Sequence, residues 1–116
     1  MLEVDLMRLI QVHASKLGAR LFRNNVGQGW AGRFAKRTDD GTVTIRNSAP
    51  LHAGLCTGSS DLIGWTKDGL FLAVEVKTET GQPTVEQINF ITAVRAAGGR
   101  AGIARSVEDA ENIING

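Results

Sequence analysis
Asp61, Glu75 and Lys77 are the residues of this chain best spaced to do chemistry together. Asp61 opens one apolar run, and Glu75 and Lys77 close the next, within GSSDLIGWTKDGLFLAVEVK (Gly58 to Lys77). Lys67-Asp68-Gly69 between the runs reads as a three-residue hairpin loop, a type I turn closed by Gly69 at the position that needs positive φ. That loop pairs Thr66 with Leu70 and, counted back along both strands, sets Asp61 opposite Glu75. Directly opposed residues share a face of the sheet, with Cβ atoms roughly 4.5 to 5.5 Å apart. Lys77, two residues on from Glu75, shares that face. Like charges held so close repel unless a cation lies between them, so the register argues for a divalent metal site. A two-residue Asp68-Gly69 turn would instead pair Asp61 with Val76 and send the carboxylates to opposite faces. The register therefore decides whether the site exists.

The elements around this hairpin must position it. Both alternation classes of its strands are apolar: Ile63, Trp65, Phe71 and Ala73 on one side, Leu62, Leu72, Val74 and Val76 on the other. Such strands lie inside a sheet covered on both faces. Met7, Ile10, Ala14 and Leu17 recur at helical spacing, widened by Leu6, Leu9 and His13, and predict a helix over Leu2 to Leu17. Glu3, four residues before Met7, starts the core-facing stripe, where it either joins the site or complements the helix dipole. Ala19 to Arg23 is a short strand. Thr84 and Gln87 match a capping box opening a helix to about Ala97 that buries Ile88, Ile91 and Val94. Gln87 faces the end of the preceding strand, so it either supports Lys77 or a phosphate, or simply caps. Ala101 to Ala104 predicts a strand, and Ser106 caps a last helix over Val107 to Ile114. The order predicts one α/β domain over 1–116, a mixed central sheet flanked by helices.

The 116 residues carry a net charge of only +1, but the charges are unevenly placed. Arg8, Lys16, Arg20, Arg23, Arg33, Lys36, Arg37 and Arg46 face only Asp39 and Asp40 between Leu6 and Arg46, whereas eight acidic and five basic residues follow. A basic half beside an acidic cluster suits a phosphate-binding surface around a metal. Phe34 to Arg46, around Asp39-Asp40-Gly41, reads as a second, largely polar hairpin, either a solvated arm or a partner-binding element through Arg33, Lys36, Arg37 and Arg46. Asn47 to Thr57 reads as loop. Cys56 is the only cysteine, which excludes an internal disulfide and a cysteine zinc site and predicts a small buried residue. No apolar run nears the roughly 18 residues of a membrane span and no signal peptide opens the chain, so a cytoplasmic location is expected.

An Asp at a strand start followed by a strand ending Glu75-Val76-Lys77 is similar to the PD-(D/E)XK nuclease core. More specifically, the chain resembles the VRR-NUC domain, the virus-type replication-repair nuclease module. The matching positions are Glu3, Arg23-Asn24 with Gly27, Gly58-Ser59-Ser60-Asp61, Glu75-Val76-Lys77, Thr84 to Gln87 with Phe90, and the closing SVEDAENI. Ser60 stands where a PD motif has proline, which keeps the carboxylate and loosens only the backbone. The resemblance implies a restriction-endonuclease-like core and a Mg²⁺- or Mn²⁺-dependent endonuclease acting on DNA, including four-way junctions, flaps and other branched repair intermediates. Asp61 and Glu75 would hold the metal with the Val76 carbonyl, and Glu3 directly or through water. Oxygen-only ligands suit Mg²⁺. Lys77 and Gln87 complete the catalytic set, and Arg23 and Asn24 join the arm's basic residues as DNA contacts. A homodimer is expected, because branched DNA has two arms to hold, and a phage or bacterial origin fits so small a stand-alone module. The competing expectation is a nucleic-acid-binding module of a replication or repair complex that does not cleave.

Overall fold
Thr66 and Leu70 close the central hairpin through Thr66 N–H to the Leu70 carbonyl at 2.8 Å, and Gly69, at φ 83°, supplies the left-handed residue of the turn. Around this hairpin the computed structural model describes residues 1–116. The order is α1 (Glu3–Lys16), β1 (Arg20–Arg23), β2 (Gly27–Arg37), β3 (Val43–Ala53), β4 (Leu62–Trp65), β5 (Phe71–Val76), α2 (Val85–Ala96), β6 (Arg100–Ala104) and α3 (Val107–Asn115). One sheet runs β1-β4-β5-β6. Its first two pairings are antiparallel and β5 with β6 is parallel, the return that a helical crossover through α2 makes possible. This is the mixed α/β arrangement that the element order predicts, and it is compatible with a restriction-endonuclease-like core. No helix is long and apolar enough to cross a membrane.

Alternation along β4 and β5 separates two cores. Leu62, Leu72, Val74 and Val76 pack with Leu6, Met7, Ile10 and Ala14 of α1 and with Ala110 and Ile114 of α3. Ala73 and Ala101 pack with Ile91 of α2, joined by the partly buried Ile63, Phe90, Val94 and Ile103. The helices therefore sit on opposite faces, α1 and α3 on one and α2 on the other. Ile88, expected inside, is 47% exposed, because the first turn of α2 packs on Gly58, whose hypothetical Cβ would come within 2.6 Å of Glu86. Cys56, also expected inside, is exposed on the loop before Gly58, a loop held by hydrogen bonds in place of apolar packing.

β1 lies so close to β4 that a Cβ on Gly64 would fall 1.9 Å from the Arg20 carbonyl oxygen. Gly64→Ala is therefore expected to push β1 off the sheet and to destabilise the fold by about 2 kcal/mol or more, read as a lower midpoint in urea or thermal unfolding with the far-ultraviolet spectrum of the remaining fold retained.

The second hairpin is much longer than the Phe34 to Arg46 that its polar pattern predicts. β2 and β3 hold 11 residues each and pair from Gly27 with Ala53 to Arg37 with Val43, taking in Asn47 to Ala53, expected as loop. Backbone pairing alone builds it, since nearly every side chain is exposed. The register shifts twice, near Gly32 and at Ala35, and Asn47 takes φ 53°, the local signature of bulges. At the tip, Asp40 accepts hydrogen bonds from the Thr38 hydroxyl and the Thr42 N–H, which hold its carboxyl down to about 2. The hairpin packs chiefly on itself and projects as an arm from a molecule of 48 × 30 × 28 Å.

Candidate active site
The β4–β5 register, Leu62 with Val74 through Trp65 with Phe71, sets Asp61 opposite Glu75 one step beyond the strand end. Each carboxylate is tied to the other's strand. Val76 N–H donates to Asp61 Oδ2 at 2.9 Å, and Asp61 N–H donates to Glu75 Oε1 at 3.3 Å. The alternative two-residue turn is excluded. Because Asp61 alternates with Leu62 and Glu75 with Val74, both carboxylates and Lys77 fall on the α2 face, at the sheet end.

Glu75 is only 1% exposed, and its Oε2 has no hydrogen-bond partner. Burial, then a hydrogen bond from its protonated form to Asp61 and the Asp61 charge, push its carboxyl up to about 8; Lys77 works against the rise. Lys77 makes no ion pair within 4.0 Å of either carboxylate, so a simple salt bridge does not account for the three charges. Glu75 is thus biased toward its protonated form, as burial beside a like charge requires.

A cleft of about 350 Å³ opens over the pair, lined by Met7, Arg23, Asn24, Gly58, Asp61, Glu75 and Gln87 among others. Gln87 forms the predicted capping box: its Oε1 accepts from Thr84 N–H at 2.8 Å and its own N–H donates to Thr84 Oγ1 at 3.1 Å. The amide nitrogen is left as a donor at the cleft. Arg23 is exposed at the rim.

Two expected site residues have settings of their own. Asn24 is buried, with Nδ2 donating to Ser59 Oγ at 2.7 Å and to the Ser60 carbonyl at 2.9 Å, Oδ1 accepting from Leu55 N–H at 2.9 Å, and its N–H bonded to the Asp61 carbonyl at 2.7 Å. Its polar groups are occupied in bracing the Ser59–Asp61 segment at the wall of the cleft. Glu3 is exposed and borders a separate cavity with Thr78, Glu79 and Arg105. No three His, Cys, Asp or Glu side chains converge as a metal-binding group. The reason is topological: α1 covers the face opposite the carboxylates, and Met7, one turn on, is what reaches the cleft.

The family model for the VRR-NUC domain matches residues 44–108, more than half of the chain. The chain belongs to the VRR-NUC family. No curated protein sequence matches it. The matched span contains Asp61, Glu75, Lys77 and Gln87 and stops short of Glu3, Arg23 and Asn24, and it makes the chain a nuclease-type domain.

The donor set of this VRR-NUC domain fits a hard divalent cation: the two carboxylates present oxygens alone, one of them buried and unpartnered. In an extended strand the N–H and C=O of one residue point to the same side, and the Val76 N–H reaches Asp61, so its carbonyl is directed past the end of β4 toward the same spot. Sequence reading missed the brace formed by Asn24 and Ser59, whose only signal was a polar pair, Asn24-Asn25, directly after the short strand Arg20–Arg23.

The arm carries three of its four basic residues, Arg33, Lys36 and Arg46, on one face. Thr44 and Arg46 are two apart on β3, so their partners Lys36 and Arg33 share their side. Val43 and Ile45 face the other way with Arg37 and Phe34, and Trp30, four residues from Phe34 on β2, joins them. Trp30 and Phe34 are 65% and 64% exposed. Arg37 therefore leaves the basic group and lies on the aromatic side.

Proposed function
We propose that this domain is a Mg²⁺- or Mn²⁺-dependent endonuclease that hydrolyses DNA phosphodiester bonds, with a preference for branched substrates such as four-way junctions and flaps. The observation that carries the proposal is the Asp61–Glu75 pair, interlocked through backbone N–H groups with a buried free oxygen, on one face with Lys77. A bound Mg²⁺ or Mn²⁺ would polarise the scissile phosphate and acidify an attacking water. Asp61, Glu75 and the Val76 carbonyl would hold it, and Glu3 would contribute only through intervening water. Lys77 orients the attacking water or offsets the negative charge that develops on the phosphate. The Gln87 amide nitrogen and Arg23 donate to phosphate oxygens at the cleft.

Arg33, Lys36 and Arg46 on the arm's basic face hold the phosphates of a DNA limb. Replacing all three with alanine is expected to weaken binding of every DNA sequence alike and to flatten the plot of log affinity against log salt by about one unit per residue, measured by fluorescence anisotropy. The aromatic face, with Trp30, Phe34 and Ile45, is free to meet a second copy, which would give a homodimer two active sites for two limbs. Light scattering on the free protein and on its four-way-junction complex tests this, and a monomer in both removes it.

The deciding experiment is incubation with linear, flap and four-way-junction DNA in Mg²⁺, Mn²⁺ or EDTA. Cleavage with either metal and none in EDTA is expected. Tight binding without cleavage in any metal would leave a non-catalytic binding module.

A further inference from the structure
Arg105, directly after β6, is absorbed by no role described above, yet its side chain reaches back into the loop that follows Lys77. Its Nη1 donates to the carbonyl oxygens of Thr78 at 2.6 Å and Gly81 at 2.7 Å, with Glu79 more distant at 3.3 Å. The guanidinium is itself fixed at its root. Arg105 N–H donates to Asp109 Oδ2 at 2.9 Å, and Asp109 N–H donates to the α3 cap, Ser106 Oγ, at 3.0 Å. This gives the Ser106–Asp109 part of the closing SVEDAENI segment a purpose beyond capping.

The clamped loop touches both nitrogen donors of the site. Lys77 N–H bonds to the Ala104 carbonyl at 3.1 Å, so Lys77 leaves the sheet beside Arg105. Gly81 folds back over the lysine stem: its hypothetical Cβ would lie 3.5 Å from Lys77 Cδ and 3.7 Å from Lys77 Cβ. Three residues later Thr84 enters the capping box that fixes Gln87. We propose that Arg105 is a positioning residue, which closes the Thr78–Gly81 loop so that the Lys77 ammonium and the Gln87 amide address one phosphate. The role rests on the nuclease reading. Lysine replaces it poorly: all the loop contacts come from one terminal nitrogen, Nη1, which the lysine side chain, one bond shorter, does not reach, and a flexible ammonium lacks the preorganised guanidinium plane.

Arg105→Lys and Arg105→Ala test the role in the full chain. Hydrogen–deuterium exchange without DNA is expected to quicken about tenfold or more over Thr78 to Gln82 in both variants, in proportion to the lost charge-assisted bonds, with β4 and β5 unchanged. In Mg²⁺, kcat on a four-way junction is expected to fall about 10²-fold, the scale of a displaced catalytic group, while KM stays within about twofold and methylguanidinium restores part of the kcat of Arg105→Ala. Thermal melts establish that both variants fold, and Arg105→Lys carries the test if Arg105→Ala does not. Wild-type cleavage with unchanged loop exchange in the variants, or with quickened exchange and unaltered kcat, overturns the role of Arg105 alone. A wild-type protein that cuts no DNA overturns the nuclease reading and, with it, any catalytic role for Arg105.

Discussion

Asp61→Asn is expected to abolish metal-supported DNA cleavage, by at least about 10³-fold in kcat/KM, because stabilising the transition-state charge is worth several kcal/mol and each 1.4 kcal/mol is tenfold. The fold should survive the change. Asparagine still offers an oxygen to the Val76 N–H that Asp61 holds at 2.9 Å, so the sheet end keeps its bond while the site loses one of its two acidic groups. The variant should even melt higher than wild type in metal-free buffer at alkaline pH, because the repulsion that burdens Glu75 is gone. Cleavage assays and melts on the same preparations separate lost chemistry from lost structure. Activity persisting in Asp61→Asn, or in wild type with EDTA, would sink the metal mechanism.

Metal-free wild-type protein is expected to lose stability as the pH rises from about 4.5 to about 8, the opposite of the usual behaviour of a carboxylate. Burial, followed by the hydrogen bond and charge of Asp61, raises the folded-state value of Glu75 to about 8 from 4.5. Between those values the folded protein holds a proton that the unfolded chain has released, so raising the pH favours unfolding. The contribution is fully present below about 4.5 and is lost by the time the pH passes 8. A melting temperature lower by about 5 °C or more at pH 8.5 than at pH 5.5 is expected, with a flatter profile in Glu75→Gln. Mg²⁺ or Mn²⁺ should recover the loss at pH 8.5, since a ligand that binds only the folded state stabilises it. Parallel pH profiles for wild type and Glu75→Gln would show that Glu75 carries no such proton.

The central hairpin was legible because its information is local: Gly69 selects the turn, the turn selects the register, and period-two counting does the rest. The two-faced core was legible for the same reason, as was the capping box of Thr84 and Gln87. The arm's length was not. Gly27, Gln28, Gly29, Asn47 and Pro50 are poor strand formers, and only cross-strand backbone bonds, invisible in one strand's sequence, keep them extended. The exposed setting of Glu3 was not legible, because periodicity gives the face a helix buries but not the face of the sheet it covers. Asn24 and Arg105 were illegible as a brace and a clamp because their partners lie far off in sequence, 35 residues for the bond to Ser59 and 27 for that to Thr78.

The carboxylates are 14 residues apart within one hairpin, and this has a consequence for how the protein reaches its native state. A loop so short closes quickly, and hairpins form in about 1–10 μs, whereas the β5–β6 pairing must await the α2 crossover. The two acids therefore meet before α2 and β6 are in place to surround them. A fully ionised pair would then resist the last step of zipping, and a proton or a divalent cation would ease it. Refolding of the wild-type chain should accordingly be faster at pH 6 than at pH 9 without metal, and nearly independent of pH in Glu75→Gln. Stopped-flow fluorescence of Trp65, which sits at the closed end of this hairpin, provides the reading once Trp30 on the arm is replaced by phenylalanine.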